Sequence, residues 1–520
     1  MSGILGMQAQ DEGRIILINS IFGEENFQLL NLLPGNFLYY PAEDFSRSAL
    51  YSNYQAGKYK QGAAPETALN FGVNTRGKYT NEKGQVFFGN FNISKSYYQN
   101  LAWNLSHELP NRGLMADPHY FAVSKPAPWD NQKYNLSGGI LSSLISDKIH
   151  WFLKADYNLE NKYRTDFDPR PRITVNELDL SAGFNFKINK AHNLKLSGAY
   201  HFSEVSNDIT FANNNKNQPV NYDIYVRWIA GYGSITGAMQ NSYKKNITGL
   251  KFHTGYAFNT PKTKILADLV YKKHKNITLR NNNVLDESDI TNHFARHYPE
   301  QLNLLVQVNH FISDSKVIGV VMKSTLNRAK NFWQDKSGKT YSSNSEDISL
   351  NVNYISQKYN ENDFELGARI SLWKIKQRDA LANTLSQYQN SEIGLVSKKN
   401  IIMGDNFQIS PFLNLNVRIP LNSNLINGNA TYLDDISEND FAGLTLKSFY
   451  QNVVYPDFEM WSTPAINFKF GSALRVFSSE KIQSFFNFEG GATKPLEKLE
   501  NFDASSPYRW HGQVSLSVYY

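Results

Sequence analysis

Apolar and polar residues alternate with a period of two along most of this chain. The pattern is cleanest at the C-terminus. Tyr508, Trp510, Gly512, Val514, Leu516, Val518 and Tyr520 form one set, and Arg509, His511, Gln513, Ser515, Ser517 and Tyr519 form the other. Successive side chains of a strand point to opposite faces, so this segment predicts a strand with one apolar and one polar face. Aromatic residues stand at both ends of the apolar face. Barrel strands that cross a bilayer have this form: apolar toward lipid, polar toward the lumen, aromatic at the two interfaces.

The same period recurs upstream. Ser48–Lys60 predicts a first strand. Leu69, Phe71 and Val73 oppose Asn70 and Asn74, and after a turn at Glu82–Gly84, Phe87, Phe91 and Ile93 oppose Asn90 and Asn92. Leu101–Asn131 reads as a long loop with four prolines. Tyr134–Leu144, a turn at Ser146–Lys148, and Ile149–Leu159 follow. Further strands are predicted around Leu178–Phe186, Leu194–Phe202, Leu250–Phe258, Ile265–Tyr271, Leu302–Val308, Ile318–Met322, Ile348–Tyr354, Phe364–Leu372, Ile393–Met403, Phe407–Ile419, Ile466–Val476 and Phe486–Phe488. Turns are predicted at Asn360–Asn362 and Ser478–Lys481. Ser203–Ser234 and Asn422–Thr463 read as long loops.

Short turns alternate with long loops, as in a membrane barrel with tight turns on one side and long loops on the other. The expectation is an all-β, transmembrane, antiparallel up-and-down barrel of about 18 strands, with 14 or 16 if weaker segments fail. A soluble all-β repeat protein would also bury one face per strand. Its turns would not alternate short and long in this way, and no internal repeat is visible.

Composition sharpens this picture. The chain has 520 residues, 30 Tyr and 33 Phe, and no Cys. Mean hydropathy is −0.47, and no run approaches the roughly 18 apolar residues of a spanning helix. A barrel stays compatible with that value because half of each strand is polar. The net charge of +6 is spread along the chain without a basic cluster, which argues against nucleic-acid binding. Residues 1–9 read as the remnant of a signal peptide whose start lies upstream, with cleavage before Gln10. Residues 10–47 read as an irregular periplasmic or lumenal segment, and 48–520 as the barrel.

With the apolar faces outward, the lumen-lining candidates are His150, Lys154, Asp156, Glu177, Asp179, Lys187, Lys195, Glu365, Arg369, Lys469, Arg475, Glu489 and Arg509. They either line an aqueous pore, which barrels of roughly 16–18 strands can hold, or pair across the lumen and hold inward-folded loops as a plug. The mixed signs argue against strong ion selectivity. Trp103, His107, Pro118, His119, Tyr120 and Trp129 fall in the first long loop, and Tyr225, Trp228 and Tyr232 in another. Aromatics beside polar groups suit sugars, peptides or a protein partner, and the plainer reading is rim and girdle packing. His293 and His297 have a helical ligand spacing, but the local pattern is not helical, so neither a metal nor another cofactor is expected. No nucleophile elbow, phosphate loop or dinucleotide fingerprint is present, and the chain is not expected to be an enzyme.

The last strand resembles the C-terminal signal of bacterial outer-membrane barrels that the barrel-assembly machinery recognises, with Trp510, Val514, Leu516, Val518 and Tyr520 in the signal positions. The chain from Ser48 onward resembles a Bacteroidota-type outer-membrane barrel in its export junction (Met7-Gln8-Ala9-Gln10), its strands rich in Asn, Lys, Tyr and Phe, and its ending WHGQVSLSVYY. DPHYFAV and KYNLSGG resemble a poorly characterised barrel family of that phylum. The resemblance implies an outer-membrane location, lipid and the assembly machinery as partners, and a TonB-dependent receptor, surface lipoprotein or other outer-membrane complex nearby. No N-terminal plug domain or TonB box is recognisable. Two functions are expected: a porin-like channel for small hydrophilic solutes, or an accessory barrel of a larger uptake, secretion or assembly complex with a plugged lumen.

Overall fold

The computed structural model describes residues 44–520 apart from 143–147, 213–224, 238–241, 281–291, 337, 359–360, 405–406, 478–481 and 503–507. The expected signal-peptide remnant, most of the irregular segment, and the turn at Ser478–Lys481 lie outside the described residues, as does most of the turn at Ser146–Lys148. The strands are β1 (Phe45–Ala56), β2 (Thr67–Thr80), β3 (Val86–Leu101), β4 (His119–Ala122), β5 (Ala127–Leu141), β6 (Ile149–Arg164), β7 (Arg170–Lys187), β8 (His192–Thr210), β9 (Arg227–Ala230), β10 (Ile235–Gly237) and β11 (Ser242–Asn259). They continue with β12 (Thr263–Leu279), β13 (His293–Ser313), β14 (Lys316–Trp333), β15 (Gly338–Lys358), β16 (Glu361–Asp379), β17 (Thr384–Lys399), β18 (Ile401–Met403), β19 (Phe407–Asn427), β20 (Ala465–Phe477), β21 (Gln483–Pro495) and β22 (Arg509–Tyr519).

All but β4, β9 and β10 form one closed antiparallel barrel of 18 staves, with β17 and the short β18 sharing a stave beside β19. Closure joins the first and last strands. β22 pairs with β1 from Arg47↔Tyr519 to Ala56↔Trp510. Ser46 N–H donates to the Tyr520 carbonyl at 2.8 Å, and Tyr520 N–H returns the bond at 3.0 Å. The sheet therefore has no free edge, the only way strands satisfy every backbone group in lipid.

The period-2 pattern decides which face looks out. Leu50, Phe71, Leu136, Leu180, Phe252 and Leu395 are exposed on staves spread around the barrel, as are Trp510, Val514 and Leu516 on β22 and Tyr520 just after it. An apolar band this continuous is what a barrel shows to hydrocarbon; in water it would be an aggregation surface. Among the described residues no helix is long and apolar enough to cross a membrane, which says nothing of strands.

One rim has short connections, such as 188–191, 260–262 and 314–315; the other carries 102–126, 211–241 and 428–464. Three expected loops need correction. The segment Leu101–Asn131 contains β4 and gives up Ala127–Asn131 to β5. β8 runs to Thr210, so the loop expected from Ser203 starts later. β19 runs to Asn427, and the rest of the segment expected as loop is largely helical: Ala430–Asp434, Phe441–Phe449, a π turn at Tyr450–Val454, and Tyr455–Ser462. Asp440 caps the second helix by accepting the Gly443 N–H at 2.9 Å. Above the apolar band, β8 reverses its polarity: Val205 and Ile209 turn inward and are buried, while Glu204, Ser206 and Asp208 face out. An outer surface clear of lipid has no use for apolar side chains, so the hydrophobic signal changes face.

Candidate functional site in the lumen

The long loops fold inward and fill the loop-side half of the lumen. β4, β9 and β10 form a small inner sheet, with His119↔Ala230 to Ala122↔Arg227 on one side and Ile235↔Ile229 on the other. Phe121 is fully buried and meets Trp228 edge-on at 4.8 Å and Tyr243 of β11 at 4.9 Å. Ile173, Val175, Val205 and Ile209 of the wall join that cluster. A second cluster packs the helical segment on the inner sheet: Trp103 meets Phe449 at 5.4 Å, among Tyr120, Ile229, Tyr450 and Val454. These clusters are buried like a protein core, not solvated like the side-chain fringe of an open pore.

The wall holds this plug with buried or half-buried polar side chains aimed largely at backbone groups of the inward-folded segments. Lys245 of β11, 2% exposed, stands 3.2 Å from the Asp117 carboxylate and donates to the His119 carbonyl at 2.5 Å. Lys162 of β6, fully buried, donates to the Ser106 carbonyl at 2.6 Å, with its ammonium 5.0 Å from the centre of the Trp129 ring. Asn207 of β8 donates to the Leu105 carbonyl at 2.7 Å. Asp379 of β16 accepts from Tyr232 N at 2.8 Å, Ser234 N at 2.9 Å and Ser234 Oγ at 2.7 Å. Arg418 of β19 donates to Tyr59 Oη at 2.7 Å and to the Met460 carbonyl at 2.6 Å. Arg509 of β22 reaches the carbonyls of Gly57, Pro65 and Glu66. Charge-assisted bonds of this kind are about twice as strong as neutral ones, and breaking one partner away is costly because the other stays buried.

Electrostatics inside the plug follow from burial. Burial alone would raise Asp117. The Lys245 ammonium, with His297, His119 and the His119 N–H, outweighs it and holds the carboxyl well below the usual carboxylate range. Burial pushes Glu108 up to about 7 and Asp457 up to about 7. Burial, reinforced by Lys245 and Lys162, lowers His107 to about 3, so its contact with Glu108 at 3.5 Å is no ion pair at neutral pH.

Below the plug lies a chamber of about 780 Å³. Its roof is plug residues 107–116, including His107, Glu108 and Arg112. Its wall carries Lys133, Glu177, His201, Lys272 and His274, among other polar side chains of both signs. That volume suits a small hydrophilic molecule or a cluster of waters.

Residues 35–520 match the model of a family described as a family of unknown function, DUF6850. The chain belongs to that family. No curated protein matches it. Among solved structures, it is similar to the copper transporter OprC (TM-score 0.43, 8% identity, 87% of this chain and 62% of that one). It is also similar to the ferric preacinetobactin receptor BauA from Acinetobacter baumannii (0.40, 8%, 91% and 80%) and to CdiB from Escherichia coli (0.34, 9%, 90% and 62%). The chain thus spans less than two thirds of OprC and of CdiB. None of these likenesses is close enough to carry a ligand or a role to this DUF6850 protein.

The lumen-lining candidates sit on the face opposite the exposed apolar set, and most are engaged with one another or with the wall. Lys154 pairs with Asp156 at 2.9 Å and Lys469 with Glu489 at 2.9 Å. Lys195 stands 3.0 Å from Asp268, which also takes a bond from His253 at 2.9 Å. Arg369 donates to Asn351 at 2.7 Å, Glu365 accepts from Asn353 at 3.1 Å, and Arg475 donates to Gln408 at 3.1 Å and Gln483 at 2.9 Å. The His150 ring contacts the Ser142 carbonyl at 2.7 Å, and Lys187 is exposed at the short-turn rim. Glu177 and Asp179 meet His201, a residue absent from the sequence-based set.

Sequence reasoning missed the buried anchors Lys162, Lys245, Asp379 and Arg418. A signal existed: Lys162 and Lys245 continue the inward parity of their strands beyond the apolar band. The loop aromatics Trp103, Tyr120, Trp228 and Tyr232 pack the plug core, where rim and girdle packing was the plainer expectation. His293 and His297 lie on β13 and face inward; His297 Nε2 is 3.1 Å from the Ala116 carbonyl.

Proposed function

We propose that this DUF6850 protein is an outer-membrane β-barrel whose loop-side mouth is closed by its own loops, and that it works as a non-catalytic accessory subunit of a larger outer-membrane complex. The observation that carries this reading is the plug. Lumenal side chains near the loop-side rim, such as Lys162, Tyr243, His297, Asn331, Gln377, Asp379 and Tyr388, are buried, whereas an open pore of this strand number would leave them in water. Outer-membrane placement is supported by the encircling apolar band and by closure through an aromatic-ended last strand.

A second reading, a gated channel for small hydrophilic solutes, draws on the chamber and its mixed charges. Planar-bilayer recording separates the two from a passive porin. Inserted protein is expected to be silent, and deletion of residues 104–122 to produce ohmic steps. Steady conductance of the intact protein would overturn the closed-mouth reading. For the accessory role, native mass measurement of the complex extracted in mild detergent is expected to exceed the 59.3 kDa of the chain by at least one further protein. A lone barrel would turn attention to the gated channel.

A further inference from the structure

The chamber wall carries a row of side chains that no lumen-facing role of the plug requires. Asp179 of β7 lies directly across from His201 of β8, His201 across from Gly249 of β11, and Gly249 across from His274 of β12. His201 Nδ1 is 3.1 Å from Asp179 Oδ1 and 3.9 Å from Glu177 Oε1. Gly249 is the device that completes the row. A Cβ there would stand 2.1 Å from His274 Cδ2, so only glycine lets His274 lie across the strand. His274 does so, stacking on His201 with centroids 4.5 Å apart and planes 2° from parallel. Glu177, His201 and His274 all line the chamber.

We propose that Glu177, Asp179 and His201 form a binding site for a divalent transition-metal ion such as Zn²⁺ or Co²⁺, with His274 as a positioning residue. The donor set is one imidazole nitrogen and two carboxylates, whose ligand atoms already lie within 4.8 Å of one another. Bonds of about 2.0–2.1 Å in a tetrahedral site put donors about 3.3 Å apart. The His201–Asp179 separation is already there, and only Glu177, a long side chain about one third exposed, has to swing inward. An imidazole with two carboxylates selects borderline cations over the hard, oxygen-preferring Ca²⁺ and Mg²⁺. A metal would take the place of the hydrogen bond between His201 Nδ1 and the Asp179 carboxylate, because its ligands bind in their deprotonated forms. Lys272 on the same wall and Lys251 beside it oppose the cation, which weakens the site and favours exchange of the ion. The stack on His274 fixes the ring plane of His201, as outer partners do for metal-ligating histidines. The site stands whether or not the mouth is closed, so it goes beyond the accessory-subunit reading.

The test uses untagged full-length protein in detergent, titrated with Co²⁺ by visible absorption and with Zn²⁺ by calorimetry. One equivalent is expected to bind, with a cobalt spectrum of low coordination number. His201→Ala and the double variant Glu177→Gln/Asp179→Asn should abolish it. His274→Ala and Gly249→Ala should weaken it by about tenfold, the loss typical of an outer partner. His192→Ala, at the exposed turn rim, should leave it unchanged. Heat-modifiable migration confirms that each variant forms a barrel. The proposal is overturned if the wild type binds no stoichiometric metal, if His201→Ala binds like the wild type, or if His192→Ala removes the signal. Any of these outcomes would leave the cluster as an imidazole hydrogen-bonded to a neighbouring carboxylate and nothing more.

Discussion

Replacing Lys245 by methionine tests whether the plug is held by charge. Met keeps the length of the side chain and removes the ammonium that neutralises Asp117 and caps the His119 carbonyl. Deleting one partner of a buried pair costs about 3–5 kcal/mol because the other charge is left uncompensated. A ceiling comes from Asp117 itself, which can escape by taking a proton. From an ordinary carboxyl value, protonation at pH 7 costs roughly 4 kcal/mol, and at pH 5 roughly 1.5 kcal/mol. The variant plug should therefore open about 100- to 1,000-fold more often at pH 7, and about tenfold more often at pH 5. Hydrogen exchange read by mass spectrometry measures this directly. The relevant amides include Trp103 and Leu105, whose N–H groups donate to the carbonyls of Val123 and Phe121 at 2.7 and 2.8 Å. Peptides covering 103–121 should lose protection by those factors while the barrel strands keep theirs. Adding Asp117→Asn should return most of the protection, because the orphaned charge is then gone. Unchanged protection in the single variant at pH 7, or no recovery in the double, would refute the electrostatic clamp.

Asp379→Ala strips acceptors from Tyr232 N, Ser234 N and Ser234 Oγ. At about 1–3 kcal/mol for each buried donor left unpaired, the segment 225–237 should become a site of proteolytic nicking in folded protein, visible on a gel; resistance equal to the wild type would count against the anchor. Arg418→Met leaves Tyr59 Oη without its donor and takes the charged donor from the Met460 carbonyl, which keeps the Tyr59 O–H at 3.3 Å, and should raise exchange in 57–66 and 455–463 together, since one guanidinium ties both. A pH effect follows from Asp457, which accepts the Gly62 N–H at 2.7 Å and is pushed up to about 7 by burial. A carboxyl raised in the folded state contributes stability that is full below its unfolded value and is lost as pH rises through about 7. The contact between 57–66 and the helical segment should thus be tighter at pH 5 than at pH 8, after correction for intrinsic exchange. Asp457→Asn keeps an oxygen for Gly62 and should flatten that profile; a profile that survives in this variant would assign the dependence elsewhere.

Much of the barrel can be read from the chain because its signal is local. A lipid-facing strand has to alternate, and the alternation in Leu69–Val73, Ile149–Leu159, Leu178–Phe186 and Trp510–Tyr520 needs no tertiary information. Strand number and the placing of short and long connections follow from counting such segments. Helices in 430–462 were not legible. They are short, are broken by the π turn at Tyr450–Val454, and owe their stability to packing on the inner sheet, not to intrinsic propensity.

The sequence by itself determined an alternating, edge-free antiparallel barrel and the side of each strand that meets lipid. Whether the lumen is open was decided only by tertiary structure. Lys162, Lys245 and Asp379 look like any lumenal charges in the sequence, and their function as anchors depends on loops a hundred or more residues away arriving within 3 Å of two of them, as His119 does at Lys245 and Tyr232 at Asp379. Those contacts are long-range, so no local periodicity encodes them. One trace did exist, in the reversal of polarity in Val205–Ile209, where apolar residues turn inward above the lipid band. Such a reversal means that something apolar waits inside. The metal-ligand row was equally hidden, since Asp179, His201, Gly249 and His274 come from four strands and meet only through the register of the sheet.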